Sequence, residues 1–201
     1  MHHPAGPRPP NTWLTSNWAA NTIRRVERPL LPGEYALLAM LLEGPMHGYE
    51  MARAFEAPEL QLICPIEQSS LYTYLRNLEA RGFVEWQEHR VGARPPRKTF
   101  ELTPRGREEV ERWLGCTVHR MREVRLDFLL KLFFLRRRDH AAAARLVEAQ
   151  LRACEQYLDA VNATEPVSEF HEVVLASRRS AAVATLDWLR TYARQLSAGA
   201  G

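Results

Sequence analysis

The stretch 67–106, EQSSLYTYLRNLEARGFVEWQEHRVGARPPRKTFELTPRG, changes its hydrophobic period twice and decides how the whole chain is read. Over 67–81, Leu71, Leu75 and Leu78 recur at helical spacing, and Gly82 follows as a C-terminal stop. A helix that buries this row turns Gln68, Ser69, Tyr72, Thr73 and Arg76 to the opposite side. Phe83, Val84 and Trp86 then suit one strand, and Thr99, Phe100 and Leu102 a second. Between them, 88–98 carries Gly92, Pro95 and Pro96, the marks of a hairpin with a long tip. Thr103-Pro104 supplies an N-cap and an N1 proline for a further helix carrying Val110, Trp113 and Leu114.

On the N-terminal side, Tyr35, Leu38, Leu41 and Leu42 space a helix over 34–43, which Gly44-Pro45 stops. Tyr49, Met51, Ala52 and Phe55 space a second over 48–55, ended by Ala57-Pro58, and a loop runs through Cys64-Pro65. Residues 1–29 hold four of the thirteen prolines before position 11 and read as a disordered tail. Trp13 and Trp18 give that tail an alternative, a short docking helix over 17–27. On the C-terminal side, Leu126, Leu129, Leu130 and Phe133 predict an amphipathic helix from about 122, and Asp139 caps a longer one running to about 162. In the longer helix Ala144, Val147, Leu151, Cys154, Leu158 and Val161 alternate spacings of three and four, as in a coiled-coil seam. A last helix over 167–196, with Phe170, Val174, Ala181, Ala184 and Trp188 along one face, offers that seam a partner within the chain or across a dimer. The expected fold is mainly α with a small β hairpin: a tail over 1–29, a domain of order helix, helix, helix, strand, strand, helix over 30–115 and an α-helical domain over 116–201.

Composition narrows the function classes. With 201 residues, 46% apolar and 25% charged, the chain has ordinary globular usage, which excludes wholly disordered and collagen-like classes. Three widely spaced cysteines without a CxxC argue against a disulfide framework and a zinc knuckle. The start has no apolar signal core, and no apolar run approaches the roughly 20 residues that span a bilayer. The expectation is a soluble cytoplasmic protein with no membrane partner. Seven scattered histidines show no HExxH, and neither a P-loop nor a GxSxG is present, so no enzyme, cofactor or metal is expected.

Charge is where the chain is specific. The net charge is only +3, yet from His89 to Arg107 six cations, Arg90, Arg94, Arg97, Lys98, Arg105 and Arg107, face one acid, Glu101. A cationic, proline-stiffened hairpin suits a polyanion, because each neutralised phosphate releases condensed counterion. Alone it reads equally as a solvated loop. Beside a helix face on which Gln68 and Arg76 can read purine edges and Ser69, Tyr72 and Thr73 can hold phosphates, it points to double-stranded DNA.

Three runs carry a family likeness: Leu31-Pro32-Gly33-Glu34-Tyr35-Ala36-Leu37-Leu38, Gly44-Pro45-Met46-His47-Gly48-Tyr49-Glu50, and Ser70-Leu71-Tyr72 with Leu75-Arg76-Asn77-Leu78-Glu79-Ala80-Arg81-Gly82. With Pro95-Pro96-Arg97-Lys98, Phe100-Glu101-Leu102-Thr103 and Gly106 behind them, the chain over about 31–114 closely resembles PadR-type transcriptional regulators. The resemblance implies a winged helix-turn-helix that binds operator DNA as a homodimer, usually as a repressor, with Tyr49, Ser70, Tyr72, Arg97 and Lys98 facing DNA, mainly its phosphates. Gln68, Ser69, Thr73 and Arg76 join this set by helix phase, and Arg94 by its place in the charged tip. The run Phe128-Leu129-Leu130-Lys131-Leu132-Phe133-Phe134 looks like the helical dimerisation domain of the larger PadR-like proteins. Leu129, Phe133, Val147, Leu151, Cys154, Leu158 and Trp188 are the expected dimer residues. The tail before Leu31 is longer than the family minimum.

Three further residue sets invite a reading. His47, at a helix start, suits packing or capping. Cys64, ahead of the recognition helix, is either a thiol switch or a small buried hydrophobe. Trp113 and Trp188 are either core or the walls of a pocket at a dimer interface for a small aromatic effector. The competing functions are therefore a winged-helix module for protein contacts and a small-molecule-responsive sensor.

Overall fold

A computed structural model describes residues 28–89 and 97–198. The alternative helix over 17–27 and the wing tip with Arg94 lie outside the described residues. Helix α1 (Pro32–Leu41) begins at a proline, and its Glu34 carboxylate accepts the Leu31 N–H at 2.8 Å. Ala36, Leu37, Leu38 and Ala39 are all 0% exposed, so α1 is closed on every side rather than along one stripe. A two-residue strand β1 (Met46–His47) leads into α2 (Gly48–Ala54), then α3 (Pro58–Ile63) and α4 (Gln68–Ala80). Strands β2 (Val84–His89) and β3 (Arg97–Leu102) form the wing, and α5 (Pro104–Gly115) follows.

The sheet has the order β1-β3-β2 with both pairings antiparallel; Met46 faces Phe100, and Trp86 faces Phe100 from the other side. Two elements depart from the sequence reading. Strand β1 is too short for a period to show, and Pro58, which reads as the end of α2, is the N1 proline of α3. The cap at Thr103 holds: its Oγ1 accepts the Gly106 N–H at 3.0 Å and donates to the Gly82 carbonyl at 2.7 Å. A Cβ at Gly106 would lie 1.9 Å from the Phe83 carbonyl oxygen, so only glycine lets α5 approach the wing this closely.

The C-terminal part begins with a turn, α6 (Met121–Glu123), a π-helical segment (Val124–Phe128) and α7 (Leu129–Arg138), then α8 (His140–Asn162) and α9 (Glu169–Ala198). Asp139 caps α8 as expected, its Oδ1 accepting from the Ala142 N–H at 2.9 Å. The π segment corrects the expected face of this region. Its wider turn breaks the 3.6-residue phase, so that Phe128, Leu130, Leu132 and Phe134 are buried while Leu126, Leu129 and Phe133 are half-exposed.

The expected seam of α8 holds at Val147, Cys154 and Val161 and shifts by one residue elsewhere, and the expected face of α9 is displaced by about one residue. Helix α8 buries Ala143, Leu146, Val147, Gln150, Cys154 and Val161, leaving Ala144, Leu151 and Leu158 half-buried. Helix α9 buries Leu175, Ala182, Leu186 and Leu189 in place of the predicted Val174, Ala181 and Trp188. Helix α9 carries a second apolar row that the chain leaves uncovered, with Phe170 75%, Val173 57% and Trp188 40% exposed, and Val183, 46% exposed, on another side of the helix.

Residues 116–120, between α5 and α6, are held by two buried polar side chains. The Lys131 ammonium donates to the Cys116 carbonyl at 2.7 Å and lies 5.2 Å from the centre of the Trp113 ring. The Gln150 amide donates to the Val118 carbonyl at 2.7 Å and accepts the Val118 N–H at 2.8 Å, which satisfies both backbone groups away from water. Burial lowers the Lys131 pKa and raises that of Asp127, one helical turn before it.

Candidate nucleic-acid interface

Helix α4 is amphipathic in the way its leucine spacing requires. Leu71, Leu75 and Leu78 are buried against the domain core, and Gln68, Ser69, Tyr72, Thr73 and Arg76 are exposed on the other side, with Ser70 at the boundary. Its polar groups are ordered along the helix: Thr73 Oγ1 donates to the Ser69 carbonyl at 3.0 Å and accepts from Arg76 Nη2 at 3.2 Å. Of the five exposed side chains just named only Arg76 carries a full charge, and it sits in the second half of the helix.

Two tyrosines from different helices stand beside this face, Tyr49 on α2 at 68% exposed and Tyr72 on α4 at 40%. Gly48 lets them approach, because a Cβ there would lie 2.8 Å from the Tyr72 ring. His47 ties the start of α2 to the wing. Its Nδ1 is 3.1 Å from both Thr99 Oγ1 and the Lys98 carbonyl, and its N–H donates to Glu50 Oε2 at 2.7 Å. The packing and capping reading of His47 describes these bonds.

The result is an open groove of about 890 Å³ between α2, α4 and β3, lined among others by Tyr49, Arg53, Tyr72, Arg76, Glu79 and Lys98. Tyr49, Tyr72, Arg76 and Lys98 are residues that the sequence singles out, and three elements bring them together here. Arg53, one turn after Tyr49, escapes the sequence reading, although its i,i+4 spacing from an exposed tyrosine is a readable signal. Both carboxylates of the groove are engaged, Glu50 by the His47 N–H and Glu79 by the Trp86 indole N–H at 2.7 Å. What the groove offers a ligand is the cations Arg53, Arg76 and Lys98 and two phenols, beside two carboxylates that each accept one N–H.

The cationic run of the sequence divides on folding. Arg105 Nη1 donates to the Arg81 carbonyl at 2.8 Å, satisfying a carbonyl at the end of α4, and its guanidinium lies 4.6 Å from the centre of the Phe83 ring. Arg107 lies 3.8 Å from Glu111, one turn along α5. These two cations belong to the domain's own packing and helix surface. Lys98 is exposed, with its Nζ 3.6 Å above the centre of the Trp86 ring, and Arg97 opens β3 opposite His89. Arg90 and Arg94 lie outside the described residues.

Elsewhere, the expected dimer residues separate into two groups. Val147 and Cys154 are enclosed within the single chain, whereas Leu129, Phe133, Leu151 and Leu158 are half-exposed and Trp188 is exposed. Trp113 stacks on Tyr35 at 4.6 Å, and Trp188 meets Phe128 edge-on at 6.0 Å and stacks on Tyr192 at 6.3 Å. Burial, with a smaller contribution from Asp127, pushes the Cys64 thiol pKa up, which disfavours the thiolate a redox switch needs. Among the described residues no group of three or more His, Cys, Asp or Glu could hold a metal, and no helix is long and apolar enough to cross a membrane.

Comparison with known proteins divides the chain at the same place as its chemistry. Residues 37–112 match the transcriptional regulator PadR-like family, and residues 124–197 match a family described as virulence activator alpha C-term. The negative transcriptional regulator PadR of Bacillus subtilis is 28% identical over 119 residues, 59% of this chain; the chain spans 65% of the length of that curated relative. A crystal structure of Bacillus subtilis PadR in complex with operator DNA aligns at 23% identity and a TM-score of 0.42, covering 81% of this chain and 98% of that one. The complex of the same Bacillus subtilis protein with p-coumaric acid aligns at 22% identity and a TM-score of 0.39, covering 83% and 99%.

Proposed function

Residues 37–112 of this chain are a PadR-like domain, and from it we propose a sequence-specific, DNA-binding transcriptional regulator that acts as a repressor on a palindromic operator, as a homodimer. The observation that carries the reading is the exposed face of α4, polar from Gln68 to Arg76 and flanked by Tyr49 and Lys98 from two other elements. In this reading α4 enters the major groove with Gln68 and Arg76 against base edges, while Ser69, Ser70, Tyr49, Tyr72 and Thr73 hold phosphates. Lys98, Arg97 and Arg94 belong to a wing that grips flanking backbone.

The division at about 115 is functional in the same reading, with the helices after it forming the dimerisation part. Leu129, Phe133, Leu151, Leu158 and Trp188 are its contact residues, and the row from Phe170 to Trp188 is the apolar surface that a second copy covers. Two α4 helices related by a two-fold axis would meet successive major grooves about one helical turn apart. What supports DNA over an acidic protein partner here is the amide and hydroxyl row of Gln68, Ser69 and Thr73 beside Arg76 and Lys98, which suits base edges and phosphates together.

The test is fluorescence anisotropy of the protein against duplex DNA from upstream of its own gene, with a scrambled duplex as control, across a salt series. The expected result is salt-sensitive binding with about a thousandfold preference for the upstream DNA. Lys98→Ala should weaken both duplexes and lower the salt slope by about 0.9 for each phosphate that the lysine neutralises. Arg76→Ala should cost about 1–3 kcal/mol on the upstream duplex alone. Equal, weak binding to both duplexes by the unaltered protein would overturn the assignment of α4 as a reading helix.

A further inference from the structure

Trp86 has no place in the reading above, yet it touches both elements that carry it. It lies in β2, opposite Phe100 in the ladder and on the same face of the wing as Lys98. Its indole N–H crosses to the recognition helix and donates to Glu79 Oε1 at 2.7 Å. Its ring is the platform beneath the Lys98 ammonium, 3.6 Å above the ring centre. The cross-strand partner of Lys98 is the carboxylate Glu88, but the ammonium is directed over the indole, on the side of the groove.

Resting on the DNA reading, we propose that Trp86 is a positioning residue for that binding: it joins the wing to α4 through Glu79 and holds the Lys98 cation in place for a phosphate. Two physical points support this. An ammonium seated on an aromatic face keeps N–H donors directed away from the ring, so it can bind a phosphate oxygen without leaving its platform. A lysine side chain has a long flexible stem, and ordering that stem before contact removes part of the entropic cost of binding. The bond to Glu79 has a second effect. It occupies the carboxylate that lies closest in sequence to Arg76 on the outer turns of α4, and so limits its competition for that cation.

The position is distinct from that of a base-reading residue, since Trp86 does not lie on the exposed face of α4. It should change affinity for every duplex by the same factor and leave sequence preference alone. Its effect should also depend on Lys98, which a general loss of folding would not.

The experiment is a cycle of variants in the full chain: Trp86→Phe, which keeps a ring and removes the N–H, Trp86→Leu, which removes both, and each with Lys98→Ala. Wild type and variants are titrated by anisotropy against the upstream and scrambled duplexes, and far-ultraviolet circular dichroism follows folding. The expected result is a three- to tenfold loss of affinity for Trp86→Leu on both duplexes, a smaller loss for Trp86→Phe, and a Trp86→Leu loss that falls to the size of the Trp86→Phe loss when each is added to Lys98→Ala. In DNA-free protein, the indole N–H resonance that disappears in Trp86→Phe should move on Glu79→Ala. That resonance tests the bond without using DNA. Full additivity of Trp86→Leu with Lys98→Ala, or an indole resonance unmoved by Glu79→Ala, would overturn the proposal while leaving the DNA reading intact. A wild-type protein with no salt-dependent binding to either duplex would overturn the DNA reading, and this proposal with it.

Discussion

The winged part and the C-terminal helices expose opposite chemistry on similar helical scaffolds. Helix α4 buries all three of its leucines and shows water Gln68, Ser69, Thr73 and Arg76. Helix α9 buries Leu175, Leu186 and Leu189 and still shows Phe170, Val173, Val183 and Trp188. A helix whose apolar surface is all inside the chain is free to meet a polar ligand such as DNA. One that has buried only part of it leaves an apolar row whose burial would gain free energy in proportion to its area, and a second copy of the chain is the cover we propose for it.

The sharpest way to break this contrast is to put charge on the uncovered row. Phe170→Glu combined with Val173→Glu should leave the fold intact, shift the protein to monomer in sedimentation velocity, and lower affinity for a two-half-site operator by about 10²–10⁴-fold, the range expected when avidity is lost. An unchanged dimer would show that the row is not the interface.

A second comparison sets a buried amide against an exposed one. Gln150→Leu keeps the size of the side chain but leaves the Val118 N–H and carbonyl without partners, at about 1–3 kcal/mol for each group. Urea unfolding should report that loss, whereas Gln68→Leu on the outer face of α4 should stay within about 0.5 kcal/mol. Equal effects would mean that the Val118 groups reach water.

The smallest effect sits inside the winged part, where α1 packs on α5. Tyr35 on α1 donates its phenol hydrogen to Glu109 Oε1 at 2.7 Å and stacks on Trp113. Burial first, then this bond, raises its pKa well above the ordinary value of 10. Because the folded state holds the proton more tightly, the contribution of Tyr35 to stability is complete below pH 10 and is lost as pH rises above it. Tyr35→Phe should cost about 1–2 kcal/mol at pH 7, and the gap to wild type should narrow in urea melts above pH 10. A gap that stays constant to pH 11 would remove Tyr35 as the titrating group.

The winged part is legible in the sequence because its signals are local. Leu71, Leu75 and Leu78 define one narrow row, Thr103-Pro104 caps one helix, and the strands announce themselves by a change of period. The C-terminal part is less so. Its helices are readable, with Asp139 at the right cap and Val147, Cys154 and Val161 buried as predicted, but the rest of the α8 face and the α9 face lie about one residue from the predicted ones, because Ala143 and Ala144, or Leu175 and Val174, satisfy the same spacing nearly equally well. Gln150 is invisible as a core residue, since its burial depends on a distant backbone at Val118. In the candidate site, residue type and place are enough to find Tyr49, Tyr72, Arg76 and Lys98, but Arg105 counts toward the cationic run and is held by the Arg81 carbonyl.

By itself, the sequence determined most of the helices and the two wing strands with their caps, though not β1, α3 or the π-helical segment, and that one polar face and one cationic hairpin follow each other in the chain. Only the tertiary structure decided which of two neighbouring apolar rows is covered, that the Lys98 ammonium lies over Trp86 though Glu88 is its cross-strand partner, and which cations are left facing the groove. The physical reason is range. Period and capping act over a few bonds along the chain, whereas burial and the pairing of a charge depend on what another segment brings into contact.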